Sequence, residues 1–144
     1  MRYEHEINID APVEVVWQLV TQVEDWPSFT PTMTRVERLD TGPIRVGSQA
    51  RVDLPGQRTA VWTVTRLDPP SSFVWRTRVM GVTMTATHDL QAADGGCSST
   101  LVIELSGLGA SVLGRIAGSR IRRSIAEENR AFKRRAEAVL TDSD

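Results

Sequence analysis

Hydrophobic positions recur at two different periods along this chain, and the changes of period divide it into elements. Tyr3, His5, Ile7 and Ile9 stand two apart, the spacing of a strand with one buried face. Asp10-Ala11-Pro12 stops that strand. Proline lacks an amide hydrogen and has a preset φ, which suits the first turn of a helix with Asp10 or its neighbour as cap. Val13, Val16, Trp17 and Val20 follow at helical steps and predict a helix over 12–21. Asp25 and Pro27 predict a very short second helix over 24–28, ended by Phe29-Thr30-Pro31.

Strands and turns then alternate. Segments 33–40, 47–54 and 58–68 are closed by Gly42-Pro43, by Pro55-Gly56 (the pair expected of a type II turn) and by Asp68-Pro69-Pro70. Segments 73–79 and 82–90 meet at Met80-Gly81, a tight hairpin, and Asp94-Gly95-Gly96 makes another before 98–106. Short connections enforce antiparallel neighbours, so these six strands form a meander and the N-terminal strand joins an edge. Val82, Met84, Ala86, His88 and Leu90 share one face of their strand while Thr83, Thr85, Thr87 and Asp89 share the other; Leu101, Ile103 and Leu105 repeat the pattern.

A one-faced sheet needs a cover, and 111–140 is the only segment with helical periodicity sustained over many turns. Ile121, Ile125, Glu128, Phe132, Ala136 and Val139 form its apolar stripe, opposite Arg115, Arg122, Arg123, Arg130, Lys133 and Arg134. Towards its start the stripe carries Ala110, Gly114, Ala117 and Gly118, which bring little volume, so an internal pocket is expected at that end. The plan is α+β, one domain over 1–144.

Composition narrows the picture. The formal charge of -1 gives no global reason for a nucleic-acid partner, although residues 1–40 hold eight acidic and three basic side chains and 115–135 hold two acidic and eight basic. That basic helix face is either a solvated surface or an anion-facing patch. A single cysteine, Cys97, forms no intramolecular disulfide and no thiolate metal site. No apolar run approaches the roughly 20 residues of a membrane span, residues 1–10 alternate unlike a secretion signal, and the expected location is the cytoplasm.

The segments IDAPVEVVWQLVTQVEDWPSFTP (9–31), VGS (46–48), TVTRLDPP (63–70) and SIAEENRAFKRRAEA (124–138) together resemble the polyketide cyclase/dehydrase branch of the START-like (SRPBCC) superfamily, over nearly the whole chain. The resemblance implies a helix-grip fold, in which a curved antiparallel sheet of six to seven strands wraps a long C-terminal helix, with two short helices after the first strand. It also implies a largely apolar cavity. Members include lipid carriers, receptors for hydrophobic ligands and aromatic polyketide cyclases, so the fold alone does not choose an activity.

The chemistry-bearing residues are few. His88 stands on the apolar face of its strand, where imidazole can either be a core hydrogen-bonding group or pass a proton in a dry pocket. His5, between Glu4 and Glu6, reads as structural. Glu128 interrupts the helix's apolar stripe and so requires a partner, Arg51, Arg135 or His88, or an exit at the cavity mouth. An ion pair is the first reading; an acid/base pair with His88 is the second. Trp26, Phe29, Trp62, Phe73 and Trp75 supply rings for a core or for a flat ligand, Trp26 and Phe29 being placed at the opening. With Arg51, Met84, His88, Ala117, Ile121 and Glu128, the residues Trp26, Phe29, Trp62 and Trp75 make up the expected ligand-facing set. Gly107, Gly109, Gly114 and Gly118 read either as a mobile gate or as close helix-to-sheet packing. No HExxH, paired-cysteine, GxSxG or phosphate-loop pattern occurs, and no cofactor is expected. The leading expectation is a binder of a hydrophobic small molecule, lipid-like or aromatic. A cofactor-free cyclase or dehydratase is the alternative, and a protein that docks through its basic helix face is the third.

Overall fold

The computed structural model describes residues 1–142. Strand β1 (Arg2–Ile9) leads into helix α1 (Val13–Thr21) and a short 3₁₀ turn (Val23–Ser28). Six strands follow: β2 (Arg35–Arg38), β3 (Gln49–Asp53), β4 (Ala60–Asp68), β5 (Ser72–Val79), β6 (Val82–Ala93) and β7 (Gly96–Gly107). Helix α2 (Ala110–Asp142) is the last element of the described residues. The sheet order is β1-β7-β6-β5-β4-β3-β2, antiparallel at every step, so the meander and the edge position of β1 are as the turn spacing requires. This is the helix-grip arrangement.

Local chemistry sets the joints. Met80 and Gly81 both take positive φ (52° and 81°), the primed-turn geometry that matches the strands' own twist in a two-residue hairpin. Gln57 donates to the Leu54 carbonyl across Pro55-Gly56, closing the expected turn. Pro12 differs from its expected place. It is the N-cap itself, its carbonyl accepting from the Val15 and Val16 amides, and no side chain caps α1. Asp10 instead donates its amide to Glu137 of α2 at 2.9 Å, tying the end of β1 to the C-terminal helix. A register shift between Val64 and Arg66 bends β4 against β5 and adds to the curvature around α2.

The buried face has two parts. Under the C-terminal half of α2, Phe132 and Ala136 pack with Val16, Val20, Trp26, Phe73, Trp75 and Leu90. Along its N-terminal half Ala110 and Ile125 pack with Tyr3, Val82, Leu101 and Leu105 of the sheet.

This second cluster overturns the expectation of a void beside the glycines. The Tyr3 ring rises from β1 into the notch that Gly114 and Gly118 leave, its hydroxyl donating to the Gly114 carbonyl at 3.2 Å. A Cβ at Gly114 would overlap Met1 Sδ and the Tyr3 hydroxyl. The Arg122 guanidinium lies 5.1 Å over the same ring. Small residues on the helix were matched by a large one on the strand, and the glycines serve close packing. Tyr3→Ala should therefore cost about 3–5 kcal/mol in urea unfolding, as for other buried aromatic deletions; a loss below about 1 kcal/mol, the scale of one hydrogen bond, would show that the ring does not fill the notch.

Candidate functional site

β6 lies inside the sheet between β7 and β5, and its inward residues alternate as the pleat demands: Val82, Ala86, His88 and Leu90 are buried and Met84 is partly so. His88 comes to lie beneath α2, where Glu128 descends towards it. Its Nε2 stands 3.8 Å from Glu128 Oε1, with side chains only 4% and 11% exposed. Trp26, Phe73 and Phe132 surround the imidazole at centroid distances of 5.2, 5.8 and 5.7 Å. Trp26 also meets Trp75 at 5.3 Å and Phe132 at 5.5 Å, both edge to face.

Water exclusion governs the charge state of the pair. Burial pushes the Glu128 carboxyl up to about 8 and the His88 imidazole down to about 3, so at neutral pH both are uncharged. The ion pair expected for Glu128 is thus a contact between neutral groups, because charging either would cost its hydration without a hydrogen bond to repay it. His88 Nδ1 is buried and has no partner among the described residues. Such an atom loses its hydration for no return, an expense native cores seldom tolerate away from functional sites.

The remaining expected residues divide clearly. Trp26, Trp62 and Trp75 are buried at 0%, 7% and 2% exposure, and Phe29 is half-buried against Phe132 at 5.3 Å. The rings therefore close over the dyad as packed core, and Trp26 stands at their centre and not at a mouth. Met84 and Ile121 are partly buried beside the Tyr3 cluster, and Ala117 is half-buried on the same helix. Arg51 does not join them. It alternates with the buried Ala50 and Val52, so it faces solvent and pairs with Glu37 at 3.1 Å. Arg135 is exposed on the outer side of α2.

A second polar cluster was not anticipated. Asn129, fully buried, donates through Nδ2 to the Ser99 and His5 carbonyls at 2.9 and 3.2 Å and lies 3.0 Å from His5 Nδ1. Its Oδ1 accepts from the Ser99 hydroxyl at 2.7 Å. Burial, then the nearby Arg130 charge, lower the His5 pKa. These groups satisfy one another, which makes the cluster a clamp between α2, β1 and β7. Its sequence signal was Ser99 in phase with Cys97 and Leu101, and Asn129 four residues after Ile125.

Open space lies elsewhere. A groove of about 540 Å³ runs over the surface between Trp17, Glu24, Arg38, Ile44, Leu67 and Pro69. The seam beneath it, bounded by Val23, Ala50, Val64 and Trp75, has no room for a water molecule. Arg38 sits at the junction, its guanidinium donating to Gly42 O at 2.6 Å and Asp40 Oδ2 at 3.1 Å. Among the described residues no three His, Cys, Asp or Glu side chains stand close enough to share a metal ion.

The family described as polyketide cyclase/dehydrase and lipid transport matches residues 1–137. No curated protein matches the sequence. Solved structures do match in fold. The di-domain ARO/CYC StfQ from the steffimycin biosynthetic pathway is 12% identical with a TM-score of 0.80 over 97% of this chain, which spans about half (51%) of StfQ. The Zhui aromatase/cyclase from a Streptomyces species is 18% identical at TM-score 0.76, covering 97% of this chain and 95% of that one. A START superfamily protein from Mycobacterium smegmatis is 14% identical at TM-score 0.73, covering 96% and 98%.

The dyad predicts a particular pH profile of stability. Native His88 stays neutral down to about 3 whereas its unfolded form protonates near 6.5, so stability falls as pH drops through that window. Native Glu128 keeps its proton up to about 8 whereas the unfolded form loses it near 4.5, so stability falls as pH rises from 4.5 to 8. The two slopes cancel between 4.5 and 6.5, leaving a plateau with an acid limb below and an alkaline limb from 6.5 to 8. Melting temperature against pH should show the plateau, and Glu128→Gln should flatten the alkaline limb and turn the plateau into an upward extension of the acid limb to about 6.5; an unchanged alkaline limb in that variant would contradict the burial of a protonated carboxyl.

Proposed function

The chain belongs to the polyketide cyclase/dehydrase and lipid-transport family, and from that premise we propose that it binds a hydrophobic, ring-bearing small molecule between sheet and α2, with His88 and Glu128 as its polar anchor. The observation that carries this reading is the neutral dyad: two ionisable side chains 3.8 Å apart inside an aromatic wall, with His88 Nδ1 unbonded. A ligand hydroxyl or carbonyl supplies the missing partner, Glu128 donates its proton in a hydrogen bond, and the rings of Trp26, Phe73 and Phe132 contact the flat body. Because those rings now pack against one another, binding requires Trp26 and Phe29 to yield. Affinity then comes from exchanging ring contacts within the core for ring contacts to the ligand.

The protonated state of Glu128 favours a second reading, dehydration of a β-hydroxy ketone. Glu128, holding a proton at neutral pH with a pKa of about 8, is matched to the work of a general acid. In such a step His88 takes a proton from the carbon between carbonyl and carbinol, a carbon–carbon double bond forms, and the hydroxyl leaves as water with the Glu128 proton. Return of the proton from His88 to Glu128 restores both groups. The ARO/CYC and aromatase/cyclase neighbours add support of fold alone.

Titration with 2-naphthol, followed by quenching of the clustered tryptophans, tests the binding reading. Saturable quenching is expected, weakened about tenfold by Glu128→Gln, the worth of one buried hydrogen bond. Absence of saturable quenching in the parent protein and in a Trp26→Ala variant that opens the wall would sink it. Turnover of a β-hydroxy ketone probe that drops about 100-fold or more in both His88→Ala and Glu128→Gln, with binding retained, would select the second reading.

A further inference from the structure

One end of the molecule carries an apolar surface that neither the core nor the dyad uses. Met80, at the tip of the β5–β6 hairpin, is 90% exposed; Leu108, in the β7–α2 connection, is 89% exposed. The two loops touch, since Val82 pairs with Gly107 and a Cβ at Gly81 would stand 3.7 Å from the Leu108 carbonyl. Val112 and Ile116 extend the patch along the next two turns at steps of four, 60% and 77% exposed. Four large aliphatic or thioether side chains raised together into water cost hydration that isolated surface residues do not.

Their surroundings are basic. Between 110 and 126, α2 has Arg115, Arg120, Arg122 and Arg123 and no acidic residue. Arg122 is exposed and has its guanidinium over the Tyr3 ring, whereas Arg115, Arg120 and Arg123, also exposed, make no ion pair among the described residues. By helical spacing Arg115 and Arg120 flank the stripe of Val112 and Ile116, and Arg123, Arg130 and Arg134 continue it, with Glu127 the one acid among them. Apolar side chains at the tip with arginines behind them form the pattern of a helix lying in a lipid interface.

Shape and charge choose among occupants. The patch consists of side chains 60–90% exposed and contains no aromatic anchor, so it lacks the buried ring that a protein partner's pocket would grip, whereas headgroups and acyl chains give way around it. A second copy of the chain related by two-fold symmetry would set arginines against arginines. No helix of the described residues is long and apolar enough to cross a membrane, so any lipid contact through a helix is at the surface. We propose that this end docks on anionic bilayers, with Met80, Leu108, Val112 and Ile116 entering the boundary between headgroups and acyl chains and Arg115, Arg120 and Arg123 meeting acidic headgroups.

Co-sedimentation with vesicles of phosphatidylcholine alone, and of phosphatidylcholine with phosphatidylglycerol, tests this in the full chain. Binding is expected to the mixed vesicles, to weaken with added salt, and to fall about tenfold or more in Leu108→Ser/Ile116→Ser and in Arg115→Gln/Arg120→Gln/Arg123→Gln. All five positions except Leu108 and Ile116 are polar already, and those two are exposed, so circular dichroism should be unchanged. The proposal is overturned by no sedimentation with the mixed vesicles, or by equal sedimentation of parent and variants. It is also overturned if light scattering shows a dimer that Leu108→Ser/Ile116→Ser abolishes, or if poly-glutamate beads retain the protein as well as vesicles do and without regard to Leu108 and Ile116, which would assign the face to an acidic protein.

Discussion

A sheet with one apolar face must have that face kept from water, and in this molecule the long C-terminal helix does so together with α1 and the 3₁₀ turn. The contact between α2 and the concave surface carries Phe132 and Ala136 at one end and Ile125 and Ala110 at the other. Everything polar beneath the helix answers to that exclusion. Asn129 finds four groups on β1 and β7 to bond, and so can be fully buried. Glu128 and His88 find no such set, and resolve the same constraint by giving up charge. Two neighbouring residues of one helix thus meet one low-dielectric environment in opposite ways, one by satisfaction and one by neutralisation.

The helix also divides along its length. Its N-terminal half is pressed close to the sheet, with Tyr3 filling the space the glycines leave. Its C-terminal half stands over the large rings of Trp26, Phe73 and Trp75. Rigid backbone contact at one end and interchangeable ring contacts at the other is a combination suited to a site that must adapt without the fold coming apart. The outer surface repeats the division, apolar at Val112 and Ile116 and basic beyond.

Much of this was legible in spacing alone. The threonine alternation of β6 placed His88 inward, and steps of three and four placed Glu128 on the buried stripe of α2, which left their meeting a matter of register between two elements. Spacing fixes the face a residue occupies but not what stands opposite. Gly114 and Gly118 looked like missing volume because the ring that replaces it belongs to β1, over a hundred residues away. Arg51 is a candidate partner for Glu128 and a member of the ligand-facing set by its charge alone, although its phase against Ala50 and Val52 already puts it outside. Asn129 was passed over because a polar residue next to a stripe reads as its border, and only the partners on β1 and β7 show it to be interior.

The Trp26 indole nitrogen donates to the Leu19 carbonyl at 2.9 Å, so the ring at the centre of the aromatic wall is fastened to the last turn of α1. The helix and the 3₁₀ turn after it are thereby coupled as one panel. Any displacement of that panel would carry the whole indole with it, since the ring cannot leave the interior while its nitrogen stays bonded to Leu19 unless α1 moves too. Opening the aromatic wall at Trp26 is thereby linked to the position of α1, a collective movement slower than the rotamer flip of a lone side chain.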